Sequence, residues 1–276
     1  TYLDKKKYKI KQIDLPKLSR NILLFVPFII FFALSILKSY FFLNHKKIEI
    51  IISTGGYMSV PICLAARMLK LKIFLFEPNM VIGRSNLLLL NYCDKIFTYN
   101  RKIKNLPKKM IYKNFVIKPL IRKNIFLSKY RATKKSKSFT ILIIGGSQSA
   151  RKFDTLFNKD LIKLSKKYKI KIFHQTSKNN LKDLKNFYLS KKMNFSVFSY
   201  DKDLHKIIKK SDFVITRSGA STINELVFLE TPFLAIPYPF AKDDHQFFNA
   251  KYYVKKNFGW LIRETDIKKN FLYKLI

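Results

Sequence analysis

Phe139-Thr-Ile-Leu-Ile-Ile144 runs straight into Gly145-Gly-Ser-Gln-Ser-Ala-Arg151, and the reading of this stretch decides the fold. Six residues, five of them apolar and most of them β-branched, read as a strand buried on both faces. The glycines after it tolerate positive φ and let the backbone come close to a ligand. The helix expected to follow offers free N–H groups and the positive end of its dipole. The same grammar recurs twice. A strand over 48–53 leads into Gly55-Gly56, and Phe213-Val-Ile-Thr216 leads towards Gly219, so five of the seven glycines fall in three strand-to-helix turns. One such pair is most often a plain tight turn; three in one chain point to a phosphate-bearing ligand.

Outward from these turns, β-branched runs alternate with longer helical patterns. Further strands are read at 72–76 and 95–98 in the first half, and at 170–174, 194–198 and 233–236 in the second. Helices are read at 60–71 and 84–92. Near-continuous apolar strands separated by helices mean parallel sheets covered on both faces, hence an α/β chain of two Rossmann-like parallel-sheet domains. The lysine-rich stretch 123–138 lacks periodicity and reads as a linker between domains over 1–122 and 139–276. Ligands of such sheets bind at the carboxyl ends of the strands, and two domains in tandem are expected to leave a cleft.

At 276 residues and 48% apolar, the chain can bury a sizeable core, which excludes a disordered tail. Lys+Arg 55 against Asp+Glu 17 gives a formal charge of +38. Only nine of those cations are Arg, and they are dispersed rather than gathered in a stripe with groove-reading elements. A compositional drift explains most of the charge, and no nucleic-acid partner is expected. Cys63 and Cys93 have neither a CxxC spacing nor a His nearby, so no zinc site or disulfide framework is indicated. The apolar run 22–34 contains Pro27 and is followed by Lys38 and Tyr40. It is read as shorter than the roughly 20 residues of a spanning helix, which favours a core helix, or one that presses an apolar face onto a bilayer with help from flanking lysines, over a span.

The second-half turns differ in chemistry. Ser147 stands at an expected helix N-cap with Arg151 a turn later, and the spacing is not that of a Walker loop. Thr216-Arg-Ser-Gly-Ala-Ser-Thr-Ile-Asn-Glu225 is rich in small residues and carries one carboxylate. Glu225 is either a partner of the helix dipole or an acceptor of two hydrogen bonds from a ribose diol, and residue chemistry alone leaves both open. Glu77 is a candidate supporting group beside Asn79, and Tyr57 is either an acceptor contact or a packing residue. His45, His174, His205 and His245 read as structural or solvated.

Thr54-Gly-Gly-Tyr-Met-Ser-Val-Pro61, Phe76-Glu-Pro-Asn79, Gly145 to Arg151, Thr216 to Glu225 and Pro237-Tyr-Pro-Phe-Ala-Lys-Asp-Asp-His-Gln-Phe-Phe-Asn-Ala250 together resemble the MurG family. Five motifs in the family's order, from about Tyr8 to Ile262, carry the likeness. It implies a two-domain GT-B glycosyltransferase that moves N-acetylglucosamine, with inversion, from UDP-N-acetylglucosamine to the 4-hydroxyl of lipid I, forming lipid II for peptidoglycan. The donor is implied to sit mainly on the C-terminal domain and the lipid-linked acceptor on the N-terminal one. No cofactor is implied, and no metal is needed to hold the diphosphate. By motif, Asn79 and Arg122 contact the donor and Ser147 faces the diphosphate. Asp201 makes a backbone contact to uracil. Ala220, Ser221, Thr222, Ile223, Asn224 and Glu225 surround the nucleotide, with Glu225 on the ribose, and Gln246 meets the donor sugar.

The resemblance further implies peripheral attachment to the cytoplasmic side of an anionic membrane through 22–43. A glycosyltransferase of the same architecture acting on another glycolipid is the alternative. The chain departs from the family pattern at Pro78, Lys118 and Ser149. It lacks a Thr-Gly-Gly-His-type turn before Gly55, so the catalytic base is unassigned. Its limits at Thr1 and Ile276 lead to the expectation of a fragment.

Overall fold

The computed structural model describes residues 8–14, 25–129, 137–145 and 150–276. They belong to two compact units, Thr1–Pro78 with Ile82–Ile117 and Asn79–Val81 with Lys118–Ile276.

The first unit runs α1 (Phe25–His45), β1 (Ile50–Ser53), α2 (Val60–Met68), β2 (Lys72–Glu77), α3 (Arg84–Leu89), β3 (Lys95–Thr98) and β4 (Asn114–Val116). Its strands pair in that order and all in parallel. Ile73, Leu75 and Ile96 of the sheet and Cys63, Ala65 and Ala66 of α2 are fully buried, each Ile or Leu side chain contributing about 1.5–3 kcal/mol. Gly55 and Gly56 take φ of 82° and 84°, a left-handed conformation that favours glycine. The thiols of Cys63 and Cys93 are buried and unpaired, and burial pushes both up from the ordinary cysteine range.

The apolar segment before β1 differs from its expectation. α1 is 21 residues long, and over Val26–His45 its mean hydropathy is 2.0, long and apolar enough by length and composition to cross a membrane. Pro27 falls in the first turn of the described helix. Two faces separate at helical spacing. Ser35, Ser39 and Leu43 are buried on the side that packs on α2. Val26, Ile30, Leu34, Leu37 and Phe41 form an exposed stripe opposite. Both serine hydroxyls donate to backbone carbonyls four residues back, Phe31 and Ser35, which satisfies them within the helix.

The second unit runs α4 (Lys123–Lys129), β5 (Phe139–Ile144), α5 (Ala150–Leu156), α6 (Asn158–Lys167), β6 (Ile170–Gln175), α7 (Leu181–Ser190), β7 (Phe195–Phe198), α8 (Leu204–Lys210), β8 (Phe213–Thr216), α9 (Ala220–Phe228), β9 (Phe233–Ala235), α10 (His245–Val254), β10 (Gly259–Leu261) and α11 (Phe271–Leu275). The parallel sheet has the order β7-β6-β5-β8-β9-β10. This is the doubly wound Rossmann order, and its switch point lies between β5 and β8, where the connections leave in opposite directions and a crevice opens at the strands' carboxyl ends. All four residues of β8 are buried, as a central strand requires.

Three further differences from the sequence expectations have physical causes. The stretch read as a linker without periodicity holds α4, with Ile125 fully buried despite its lysine neighbours. β4 and β10 escape the sequence pattern because three residues are too few to establish a period. Gly219 has φ −62° and ψ 140°, ordinary extended backbone, and an added Cβ would meet only Thr222 Oγ1 at 3.9 Å. The left-handed argument therefore does not apply there. Gly259 is demanded instead by contact, since a Cβ would stand 2.5 Å from the Phe233 carbonyl oxygen.

Candidate functional site

The carboxyl end of β8 and the start of α9 form the centre of the candidate site. Arg217 leaves the strand 7% exposed, ion-paired to Glu264 at 2.6 Å. It donates to the carbonyls of Ile236 and Pro237 and lies 4.5 Å from the Phe153 ring centroid. A buried guanidinium so held locks the turn rather than greeting a ligand. Ser218 follows, fully buried, with its N–H donated to Gln246 Oε1 at 3.2 Å and its carbonyl accepting from Asn249 Nδ2 at 3.2 Å. α9 then begins with no side chain capping its N-terminus and no acidic residue in its first turn. Its first amides keep their partial positive charge, which suits an anion.

Glu225 lies in the second turn of α9 with a side chain only 4% exposed. Both its oxygens accept from Arg122: Nε to Oε1 at 2.6 Å and Nη2 to Oε2 at 2.7 Å. The bond to Glu225 also holds the Arg122 guanidinium above its ordinary value. The sequence separates these two by 103 positions, and the fold brings them together in the bidentate geometry that a planar guanidinium offers a carboxylate.

The remaining sequence-predicted residues fall in different settings. Ser221 is exposed and Ala220 and Thr222 are half-buried on the first turn of α9, whereas Ile223 is packed in the core. Asn224 is buried and its Oδ1 accepts from the Tyr253 hydroxyl. Asp201 Oδ1 accepts from the Asp203 N–H at 2.7 Å, shaping the turn into α8. Gln246 Oε1 accepts from two backbone N–H groups, those of Ser218 and Tyr238. Asn79 belongs to the second unit, where its Oδ1 accepts from Asn249 Nδ2 at 3.0 Å. Ser147 lies outside the described residues, as does the side chain of Arg151.

In the first unit, the carboxylate of Glu77 is buried at the end of β2. Its Oε2 accepts from the Gly83 N–H at 2.7 Å and from Asn86 Nδ2 at 3.0 Å. Asn86 in turn borders the Gly55 turn, 3.2 Å from where a Cβ on that glycine would lie. Tyr57 is 41% exposed. Among the described residues no group of three or more His, Cys, Asp or Glu side chains is placed to hold a metal ion.

Sequence reasoning missed one polar cluster beneath the second sheet. His174 is fully buried, its Nδ1 2.7 Å from the Tyr188 hydroxyl and its Nε2 3.5 Å from Asp154 Oδ1. Asp154 Oδ2 accepts from Thr176 and Asn180. Burial pushes His174 down to about 3 and Tyr188 far above the usual tyrosine range, so the imidazole is neutral and the phenol protonated. No local sequence signal joins residues on α5, β6 and α7. A cavity of about 430 Å³ at the opposite, amino-terminal end of the same sheet is walled mainly by apolar groups such as Phe139, Ile170, Phe213 and Trp260. Its one carboxylate, Asp212, accepts from the Thr140 N–H.

Residues 1–98 match the glycosyltransferase family 28 N-terminal domain and residues 140–276 the glycosyltransferase family 28 C-terminal domain. A UDP-N-acetylglucosamine--N-acetylmuramyl-(pentapeptide) pyrophosphoryl-undecaprenol N-acetylglucosamine transferase of Pelagibacter ubique is 46% identical over 276 residues, all of this chain and 77% of that protein. The transferase of the same name from Rickettsia bellii is 33% identical over 271 residues, 96% of this chain and 75% of that one. In fold, the chain is similar to the crystal structure of MurG from Acinetobacter baumannii, with a TM-score of 0.75 at 24% identity, covering 98% of this chain and 75% of that one. It is similar also to a UDP-GlcNAc 2-epimerase from Neisseria meningitidis solved with UDP-GlcNAc bound, with a TM-score of 0.62 at 14% identity, covering 89% of this chain and 72% of that one. Two parallel-sheet α/β units, both domain matches and these identities agree: the chain belongs to glycosyltransferase family 28, among the MurG-type N-acetylglucosamine transferases.

Proposed function

We propose that the chain transfers N-acetylglucosamine from UDP-N-acetylglucosamine to lipid I, the undecaprenyl-diphosphate-linked muramyl pentapeptide, yielding lipid II. The observation that carries this reading is the 46% identity across all 276 residues to a transferase whose name states that reaction. On this reading residues 139–276 hold most of the donor, helped by Asn79 and Arg122, and residues 1–122 otherwise serve the acceptor, with 123–138 connecting them.

The chemistry follows from the second sheet's switch point. Transfer with inversion breaks the bond between the sugar's anomeric carbon and the diphosphate as the acceptor's 4-hydroxyl attacks from the opposite face. Negative charge grows on the departing UDP. Preorganised donors aimed at that charge are worth most, because they need no rearrangement as the bond breaks. The uncapped start of α9, with Ala220, Ser221 and Thr222, supplies such amides, and Ser147 is assigned to the diphosphate by its motif alone. Ile223 and Asn224 hold this helix in place. Glu225 receives the two ribose hydroxyls, and Asp201 offers its backbone to the uracil.

Arg122 now occupies both oxygens that the ribose would take. Donor binding therefore exchanges a guanidinium for a diol, leaving Arg122 to meet the diphosphate. Gln246, whose carbonyl end is held by two backbone N–H groups, presents its amide hydrogens to the sugar. Attachment to the cytoplasmic side of an anionic membrane is assigned to the exposed stripe of α1, where the acceptor's lipid is embedded.

Calorimetry with UDP-N-acetylglucosamine tests the donor half. The protein should bind the nucleotide sugar, and Glu225→Gln should weaken binding by about tenfold or more, as expected on losing the charge from a pair of hydrogen bonds. Absence of binding by the folded protein would sink the donor reading. Product formation with lipid I but not with diacylglycerol separates this acceptor from that of a glycolipid transferase.

A further inference from the structure

The cavity of about 430 Å³ at the amino-terminal end of the second sheet is put to no use by the donor chemistry. Phe139, Ile170 and Phe213 open β5, β6 and β8, and Tyr168 and Trp260 stand beside them in its wall. Trp260 leans on Phe213, their ring centroids 5.7 Å apart and their planes at 52°. Phe139, Tyr168 and Trp260 nevertheless stay 37%, 44% and 46% exposed, so aromatic surface faces open space rather than core. Sites for small molecules run from roughly 300 to 1,000 Å³, are mostly apolar and carry a few placed polar groups. Here that group is Asp212, which lines the cavity. Its Oδ2 accepts from the Thr140 N–H at 2.8 Å, and among the described residues no donor reaches its Oδ1. A carboxylate oxygen beside apolar walls gains most from a charged donor.

We propose that this cavity binds a small amphiphilic cation: an aromatic or short alkyl body with one protonated amine, the ammonium on Asp212 and the body among the rings. Ring faces attract a cation through their quadrupole, tryptophan most of all. At the same rim Lys167 already holds its ammonium 5.0 Å from the Tyr168 ring centroid. The chain's +38 charge is dispersed, and screening at 0.15 M salt leaves lysines further than about 8 Å away with little influence. A free phosphate or a nucleotide, in contrast, would meet Asp212 charge against charge. The inference stands apart from the donor reading. β8 carries the chain from Phe213 at the cavity to Thr216 at the candidate donor site, about 10 Å away at about 3.3 Å per residue.

The test titrates 2-phenylethylammonium and its uncharged counterpart 2-phenylethanol at 0.15 M salt, following the fluorescence of Trp260, the chain's one tryptophan. Both should bind saturably, the ammonium about fivefold to tenfold tighter, as a charge-assisted hydrogen bond exceeds a neutral one. Asp212→Asn keeps an acceptor for the Thr140 N–H and should bring the two probes within about twofold of each other. Trp260→Leu, followed by calorimetry, should weaken both by about fivefold or more. UDP-N-acetylglucosamine should displace neither. Four results each overturn the proposal: no saturable response to the ammonium, equal affinities for the two probes in the wild type, a preference that survives Asp212→Asn, or unchanged binding in Trp260→Leu. Displacement by the sugar nucleotide would put the probes in the donor site and overturn it as well. If Asp212→Asn does not fold, the wild-type preference and Trp260→Leu still decide the matter.

Discussion

Replacing His174 by glutamine should flatten the acid sensitivity of the second unit. An unfolded histidine titrates near 6.5, whereas burial holds His174 at about 3. Between those values the unfolded chain takes up a proton that the folded chain refuses. Stability from this group is therefore complete above pH 6.5, falls by about 1.4 kcal/mol per pH unit below it, and levels off near pH 3. From pH 7.5 to 5.0 the loss amounts to about 2 kcal/mol, a figure insensitive to where the native value lies so long as it stays well below 5.

The groups facing the ring are Tyr188 at Nδ1 and Asp154 at Nε2. Thr176 and Asn180 occupy the other Asp154 oxygen. The chain's one tryptophan, Trp260, lies in β10 of the same sheet, so its fluorescence during urea unfolding reports the relevant unit. Glutamine will cost stability at pH 7.5 through imperfect bonding to Tyr188. Its further loss on going to pH 5.0 should nevertheless be smaller than the wild type's by about 2 kcal/mol. Equal losses would refute the buried neutral imidazole. A wild type that gains on acidification relative to the variant would mean that Asp154 stabilises a protonated ring instead.

Gly259→Ala should destabilise the same unit by about 1–3 kcal/mol, because the new methyl meets a backbone oxygen of β9 rather than a side chain that can swing away; unchanged urea midpoints would show that β9 and β10 separate freely. On α1, Leu37→Glu in the exposed stripe should reduce flotation with anionic vesicles several-fold while leaving the melting temperature within a degree or two. Undiminished flotation would remove this helix from the membrane surface.

β5 and β8 were legible in the sequence because strands buried on both faces leave unbroken apolar runs, and their glycine turns marked the carboxyl ends where ligands of such sheets gather. β4 and β10 lay below the length at which a pattern can be read. The seven-residue α4 was hidden by its lysines, since Ile125 is the single residue of that helix buried among the apolar ones. At the site, Glu225 and Asn79 stood out by motif, but their present partners did not. The bond from Arg122 spans 103 positions and that from Asn249 to Asn79 spans 170. Pairings of that range follow from how a chain closes on itself, and one sequence carries no record of them. Composition was misleading for α1, where a proline and a lysine suggested interruption although one lies in the first turn and the other on the exposed side.

Cys63 and Cys93 have a use at the bench. Both sulfurs are shut inside the first unit and held as thiols by their surroundings. Since a thiolate is what reacts with maleimides and spin-label reagents, the native chain should stay silent towards them while folded. A cysteine engineered onto any surface position could then be labelled cleanly without first stripping the natural pair.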